Sequence, residues 1–394
     1  MRILWIKTDF LHPATKGGHI RTLEILRRLH RRHEIHYVGF DDPARPEGVP
    51  RSVEYCTRAY PLMHSLTEKD SLWFLGELAA GLFSRTPVAV SRYRSQTMRE
   101  QVRTLRDRHQ FDSIVCDFLA PSVNLEDLAG CVLFQHNVET AIWRRHAEHA
   151  SGAVRRLYFR LQAERMFRYE RDVCRAAGKV IAVSDNDADL MGRLFEIPQP
   201  RVAPTGVDIE YFTPAGQARP AADLVFVGSM DWLPNIDGIA WFVRDVLPLI
   251  RRWRPGCSVA IVGRAPTAEV AGLADRDPLI QVTGTVPDIR PWLWDALVSV
   301  VPLRIGGGTR LKIYEAMAAK VPVVSTSVGA EGLEVSSPET IRLADTPEGF
   351  AEACLELLND SAQRARMASA AWDLVAARLS WDQAALCFER ILEE

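Results

Sequence analysis

Short apolar runs recur along the chain, divided by stretches in which apolar residues return every third or fourth position. A run that is apolar at nearly every position reads as a strand buried on both faces, and the stretches between supply amphipathic helices to cover it. The first half predicts strands at RILWIK, EIHYVGF, VEYCTRA, DSIVCDF, CVLFQ and KVIAVS. After the first of these, Ile20, Leu23, Leu26 and Leu29 hold helical spacing, which leaves Arg21, Arg27, Arg28 and Arg31 for the wet side. A longer, arginine-laden amphipathic helix is predicted from Val154 to Ala176. Strands alternating with helices in this way predict a parallel sheet and an α/β fold.

The texture changes at RVAPTGVDIEYFTPAGQARPAADLVFVGS, dense in Pro, Gly and small residues, and a domain junction is placed there. A second series follows, with strands at DLVFVG, CSVAIVG, LIQVTG, ALVSVVP, VPVVST and TIRLA, and helices beginning near Pro234, Asp288, Thr309, Pro347 and Ser361. Ser380 is suited to cap a last helix whose apolar stripe is Ala384, Leu386, Cys387 and Ile391. The expected organisation is therefore two doubly wound domains, 1–205 and 206–379, and a closing segment, 380–394. With 394 residues, 47% of them hydrophobic, the chain has enough material for two cores.

Charge alters this picture only slightly. The net charge is -2, but residues up to 205 carry about +6 and the remainder about -8, so the first half is the one suited to an acidic or membrane-bound partner. The arginines lie between apolar helix positions and no aromatic stacking motif accompanies them, which argues against nucleic acid. Seven scattered cysteines form neither a disulfide framework nor a zinc pattern, and a reducing, cytoplasmic setting is expected. The first residues run straight into a strand with no cleavage signal. The apolar stretch from Leu72 to Phe83 contains Glu77 and falls short of the roughly twenty residues a span requires, though it could lie on a membrane surface, as could RRLHRRH.

Candidate chemistry is expected in loops after strands, because ligands of open α/β sheets bind beyond the carboxyl ends of the strands. Gly17 and Gly18 open a helix after the first strand, which suits an anion and equally suits a plain turn. Gly306, Gly307, Gly308 and Thr309 offer amides at the mouth of another helix, and Arg310 and Lys312, flanking Leu311, place two cations in its first turn. Cations at the positive end of a helix call for an anion. The spacing is neither a P-loop nor a G-x-G-x-x-G fingerprint. Glu315, one turn on, is placed to reach the vicinal hydroxyls of a ribose, and the same spacing permits a pair with Lys312 or Lys320. His136 and Asn137 follow an apolar strand, where an imidazole can face a ligand or serve structure. Ser184 and Asp187 read as a capping box. His146 and His149 lack the acidic companions of a metal site, no nucleophile elbow is present, and no metal is expected.

Taken together, KGGHIRT, QHNVE, IAVSDND, PTGVDIEYFTP, VFVGSMDWLPN, AIVGR, VTGTVPDI and above all GGGTRLKIYEAMAAKVPVVST resemble the retaining GT-B glycosyltransferases of family 4, or group 1, of the bacterial exopolysaccharide type. The resemblance implies two Rossmann-like domains facing across a cleft, with the last helix crossing back to the first. It implies a metal-independent, retaining transfer of a hexose from a nucleotide sugar, with UDP or GDP as the nucleotide, to an acceptor hydroxyl on a glycan, a lipid-linked sugar or a small molecule. Glu315 matches the second glutamate of the family's E-x7-E motif, which binds ribose, while Gly307 stands where the first is expected. Arg310 and Lys312 would neutralise the diphosphate, with Arg304 or Arg264 in support. His136 would stand near the donor sugar, Gly17 and Gly18 near the donor phosphate, Gly228 in the donor loop, and Gly263, Arg264 and Val286 beside the base. Thr205 replaces a usual asparagine. A nucleotide-sugar epimerase of the same fold and a degenerate nucleotide-sugar-binding protein are the alternatives, and no cofactor is implied.

Overall fold

The computed structural model describes residues 1–14, 17–64, 84–149, 152–214, 222–305 and 311–394. The chain divides into two compact units, Met1–Thr205 with Ala384–Glu394, and Gly206–Gln383. Among the described residues no helix is long and apolar enough to cross a membrane; the apolar stretch from Leu72 to Phe83 lies outside them.

In the first unit seven strands pair in parallel, β1 (Arg2–Ile6), β2 (Glu34–Asp41), β3 (Arg58–Met63), β4 (Ser113–Asp117), β5 (Cys131–Phe134), β6 (Lys179–Ala182) and β7 (Arg201–Val202), in the order β3-β2-β1-β4-β5-β6-β7. Their helices are α1 (Gly17–Leu29), α2 (Gln96–Arg108), α3 (Glu139–His149), α4 (Ala153–Ala176) and α5 (Asp185–Phe195). The central strands β1, β4 and β5 are buried along nearly their whole length, as unbroken apolar runs require, whereas the edge strand β3 has no buried residue. The order reverses between β1 and β4, and this switch point is where a ligand of such a sheet is expected.

Two expectations for this unit are corrected. VEYCTRA is not a strand: Pro50 opens a short 3-10 helix, Pro50–Glu54, and pairing with β2 moves the strand to Arg58–Met63. Nor does Arg21 face solvent. It is 1% exposed, and its Nε and Nη2 donate to Thr205 Oγ1 at 2.9 and 2.6 Å. Ser184 caps α5 as expected, accepting from the Asp187 amide at 3.2 Å while its hydroxyl donates to the Asp187 carboxylate at 2.8 Å.

The second unit repeats the plan with six strands, β8 (Ala222–Val227), β9 (Val259–Val262), β10 (Ile280–Val282), β11 (Ala296–Val301), β12 (Val323–Ser325) and β13 (Arg342–Leu343), all parallel in the order β10-β9-β8-β11-β12-β13. Here the reversal lies between β8 and β11. Covering helices are α6 (Leu233–Trp241), α7 (Leu247–Trp253), α8 (Ala268–Arg276), α9 (Leu311–Ala318), α10 (Pro347–Asn359) and α11 (Ser361–Arg378). The last helix, α12 (Trp381–Glu393), has its Gln383 amide donating to Ser380 Oγ at 3.3 Å. Its buried stripe is Ala384, Ala385, Phe388, Ile391 and Leu392, whereas Leu386 and Cys387 are only half-buried.

Candidate active site

A charged residue ends or follows two apolar runs at the switch point of the first unit, and these two residues meet. Asp117 closes β4 and Lys7 follows β1; both are buried, and Lys7 Nζ donates to Asp117 Oδ1 at 2.9 Å. The other carboxylate oxygen accepts from Trp5 Nε1 at 2.9 Å and from Thr22 Oγ1 of α1 at 2.7 Å. Burial alone would push this carboxyl up; Lys7, His136 and the Thr22 hydroxyl instead hold it well below the usual carboxylate range. No sequence motif announces this network.

His136 belongs to it. Nε2 lies 2.8 Å from Asp117 Oδ1, an ion-pair distance without an aligned hydrogen bond, and among the described residues Nδ1 has no hydrogen-bond partner. The ring is 1% exposed and stacks on Phe118 with centroids 4.2 Å apart. Burial, opposed by Asp117, pushes its pKa down to about 3, so the imidazole is neutral. The expectation that a histidine beyond a strand end is open to a ligand is corrected: Phe118 covers it. Phe118 adopts φ 78°, a left-handed backbone that is strained for a bulky side chain.

The loop carrying His136 is held from below by Glu170 of α4. Its Oε1 accepts from Gln135 Nε2 at 3.1 Å and the Glu139 amide at 2.9 Å, and its Oε2 from the Thr140 amide at 2.7 Å and hydroxyl at 2.6 Å. A carboxylate thus caps α3, although burial pushes Glu170 up to about 8 against these donors. Above the loop, a cavity of about 310 Å³ is lined by Lys7, Asp9, Gly18, His19, Phe118 and Glu139, among others. Burial raises Glu139 to about 7. Gly17 and Gly18 open α1, and a Cβ on Gly18 would lie 3.0 Å from Phe118 Cε2 and 3.5 Å from His136 Nδ1. A side chain at 18 would therefore press on Phe118.

In the second unit the switch point gathers Gly228 after β8, Gly263 after β9 and Lys312 and Glu315 on α9. Lys312 Nζ donates to Asn235 Oδ1 at 2.7 Å and stands over the Phe226 ring at 4.6 Å. A Cβ on Gly228 would fall 2.8 Å from that ammonium, and one on Gly263 only 1.7 Å from the Gly228 carbonyl oxygen. The two glycines let the strand ends close together beneath the lysine. Glu315 is half-buried, its carboxylate accepts no hydrogen bond from a described residue, and burial, partly offset by Lys312, pushes it up to about 7. The alternative partner, Lys320, sits instead over Trp372 at 4.8 Å.

Leu311 opens α9 and Val286, after β10, is half-buried against the core. Arg264 and Arg304 are engaged already, Arg264 with Asp231 at 2.9 Å and Arg304 with both oxygens of Asp237 at 3.0 and 2.5 Å. Gly306, Gly307, Gly308, Thr309 and Arg310 lie outside the described residues. Among the described residues no cluster of His, Cys, Asp and Glu could hold a metal.

Residues 15–211 match the family described as Glycosyltransferase Family 4, and residues 221–360 match Glycosyl transferases group 1. The chain belongs to glycosyltransferase family 4. It is 20% identical over 373 residues, 89% of each chain, to an uncharacterized 44.6 kDa protein in the cps region of Klebsiella pneumoniae. The fold of this glycosyltransferase is similar to that of the sucrose-phosphate synthase of Thermosynechococcus elongatus, with a TM-score of 0.72 at 17% identity over 100% of this chain and 98% of that one. Anabaena HepE in complex with UDP-glucose is similar at a TM-score of 0.68 and 15% identity, covering 100% and 99%. The fold class is thus GT-B, built from two Rossmann-like α/β units, and the activity is transfer of a glycosyl group.

Proposed function

We propose that this glycosyltransferase takes its sugar from a nucleoside diphosphate donor, a UDP-sugar in the first instance with a GDP-sugar as the second choice. The carrying observation is the pair on α9. A lysine held by Asn235 over the closed ends of β8 and β9 meets a diphosphate, and a glutamate one turn on, with no donor of its own among the described residues, accepts from the ribose hydroxyls. Gly228 and Gly263 bring backbone close to the ligand, Val286 flanks the base, and the amides of 306–309 with Arg310 complete the diphosphate seat. UDP-glucose bound to HepE supports uridine as the first nucleotide to test.

The transferred group is a hexose, and its anomeric configuration is retained. As the bond from the anomeric carbon to the diphosphate oxygen breaks, negative charge gathers on the leaving group, where Lys312 stabilises it. The acceptor hydroxyl oxygen forms the new bond from the same face, and its proton passes to the departing diphosphate, so no metal or protein nucleophile is required. In the first unit, the cavity beside Lys7, Asp9 and Glu139 receives an acceptor rich in hydroxyls. The acceptor is a glycan or a lipid-linked sugar.

The experiment is a thermal-shift panel with UDP, GDP, ADP and dTDP on the wild type and on Glu315→Ala. One nucleotide raises the melting temperature of the wild type and loses that effect in the variant. No rise with any of the four, or an equal rise in the variant, contradicts the assignment.

A further inference from the structure

The amino-terminal half of α4 exposes what a core-packing helix would hide. Val154, Leu157 and Leu161 are 85%, 70% and 37% exposed, and their spacing of three and four residues sets them on one helical face. Beside that stripe, Arg156 and Arg160 join Arg144 of α3 in a groove of about 630 Å³ that Glu148 and Glu164 also line. Between residues 144 and 168 seven arginines face only two glutamates, Glu148 and Glu164. The base of this α3–α4 hairpin is aromatic: Phe159 lies 6.1 Å from Trp143 and 5.7 Å from both His146 and Tyr158, and Arg155 stands over its ring.

We propose that the α3–α4 hairpin is the surface by which this enzyme docks on a bilayer of anionic phospholipid. Val154, Leu157 and Leu161 enter the acyl boundary, and Arg144, Arg156 and Arg160 take headgroup phosphates in the groove. An apolar stripe flanked by arginines, with aromatic rings at its edge, has the composition of an interfacial helix. Three aliphatic side chains cover far less than the roughly 800 Å² per partner of a stable protein interface, so the excess positive charge is better matched by a plane of phosphates than by a folded partner. The proposal gives the membrane-linked acceptor reading a physical contact but does not depend on the nucleotide seat.

The test is flotation of the full chain with vesicles of phosphatidylcholine alone and with about 30% phosphatidylglycerol, at low and high salt. Wild type is expected to float with the anionic vesicles only, and less at high salt. Leu157→Asp, and Arg156→Glu with Arg160→Glu, each lower the bound fraction about tenfold while keeping circular dichroism and the nucleotide-induced melting shift. That retained shift separates failure here from failure of the donor assignment. Absence of flotation, or equal flotation of wild type and variants, overturns the proposal. So does a wild-type dimer that Leu157→Asp dissociates, since the stripe then belongs to a second copy.

Discussion

His136 Nε2 lies 2.8 Å from Asp117 Oδ1, with both side chains sealed from solvent and Lys7 on the same carboxylate oxygen. Nδ1 of the neutral ring faces Gly18, and Asp117 on one side with Phe118 stacked on the ring holds the imidazole in place.

Removing that carboxylate strands a buried ammonium. Asp117→Ala is expected to cost about 3–5 kcal/mol in urea unfolding, and Lys7→Met combined with Asp117→Leu to cost less than either single change. A loss below about 1 kcal/mol for Asp117→Ala would show that the buried pair is not structural.

Glu315 gives a pH signature. Its carboxyl, raised to about 7 by burial, must be ionised to accept from ribose hydroxyls, so nucleotide binding releases a proton. Affinity measured by titration calorimetry rises as pH increases from about 6 to 8, and Glu315→Gln flattens the profile. The stability effect has the opposite sign: a carboxyl raised in the folded state contributes below its unfolded pKa and loses that contribution as pH climbs through 7. Glu315→Gln should therefore melt higher than wild type at pH 8, with the difference shrinking toward acid pH.

The glycines form a graded series. Gly263→Ala drives a Cβ to 1.7 Å from the Gly228 carbonyl oxygen and is expected to cost more than about 4 kcal/mol. Gly18→Ala meets Phe118 at 3.0 Å, on a backbone already strained, and should cost about 1–3 kcal/mol. Gly256→Ala meets nothing within 4 Å and stays within about 0.5 kcal/mol of wild type. Denaturant midpoints rank the three, and a different order would contradict the packing at the two switch points.

What could be read from the sequence was local. Apolar runs locate the strands and Ser184 announces its own cap, because each signal is carried by neighbouring residues. VEYCTRA misled because its aromatic and branched residues suit a strand, yet Pro50 and the register against His36–Asp41 decide the outcome. Arg21 misled for a different reason: its partner, Thr205, is 184 residues away, and helical spacing carries no trace of it. The same holds for the Lys7–Asp117 pair and for Glu170 beneath the His136 loop. The one signal of the Lys7–Asp117 pair was a charge at the end of an apolar run, as in LWIK and VCD, and Glu170, inside its helix, carried none. Lys312 and Glu315 were legible as a helix-mouth pair, but Asn235, which fixes the lysine, was not.

The most direct measurement is a co-crystal structure with UDP, or with whichever diphosphate gives the largest melting shift. The account predicts diphosphate oxygens within hydrogen-bond distance of Lys312 Nζ, and both ribose hydroxyls on the Glu315 carboxylate. A nucleotide bound elsewhere, with Lys312 still on Asn235 and Glu315 untouched, would contradict it.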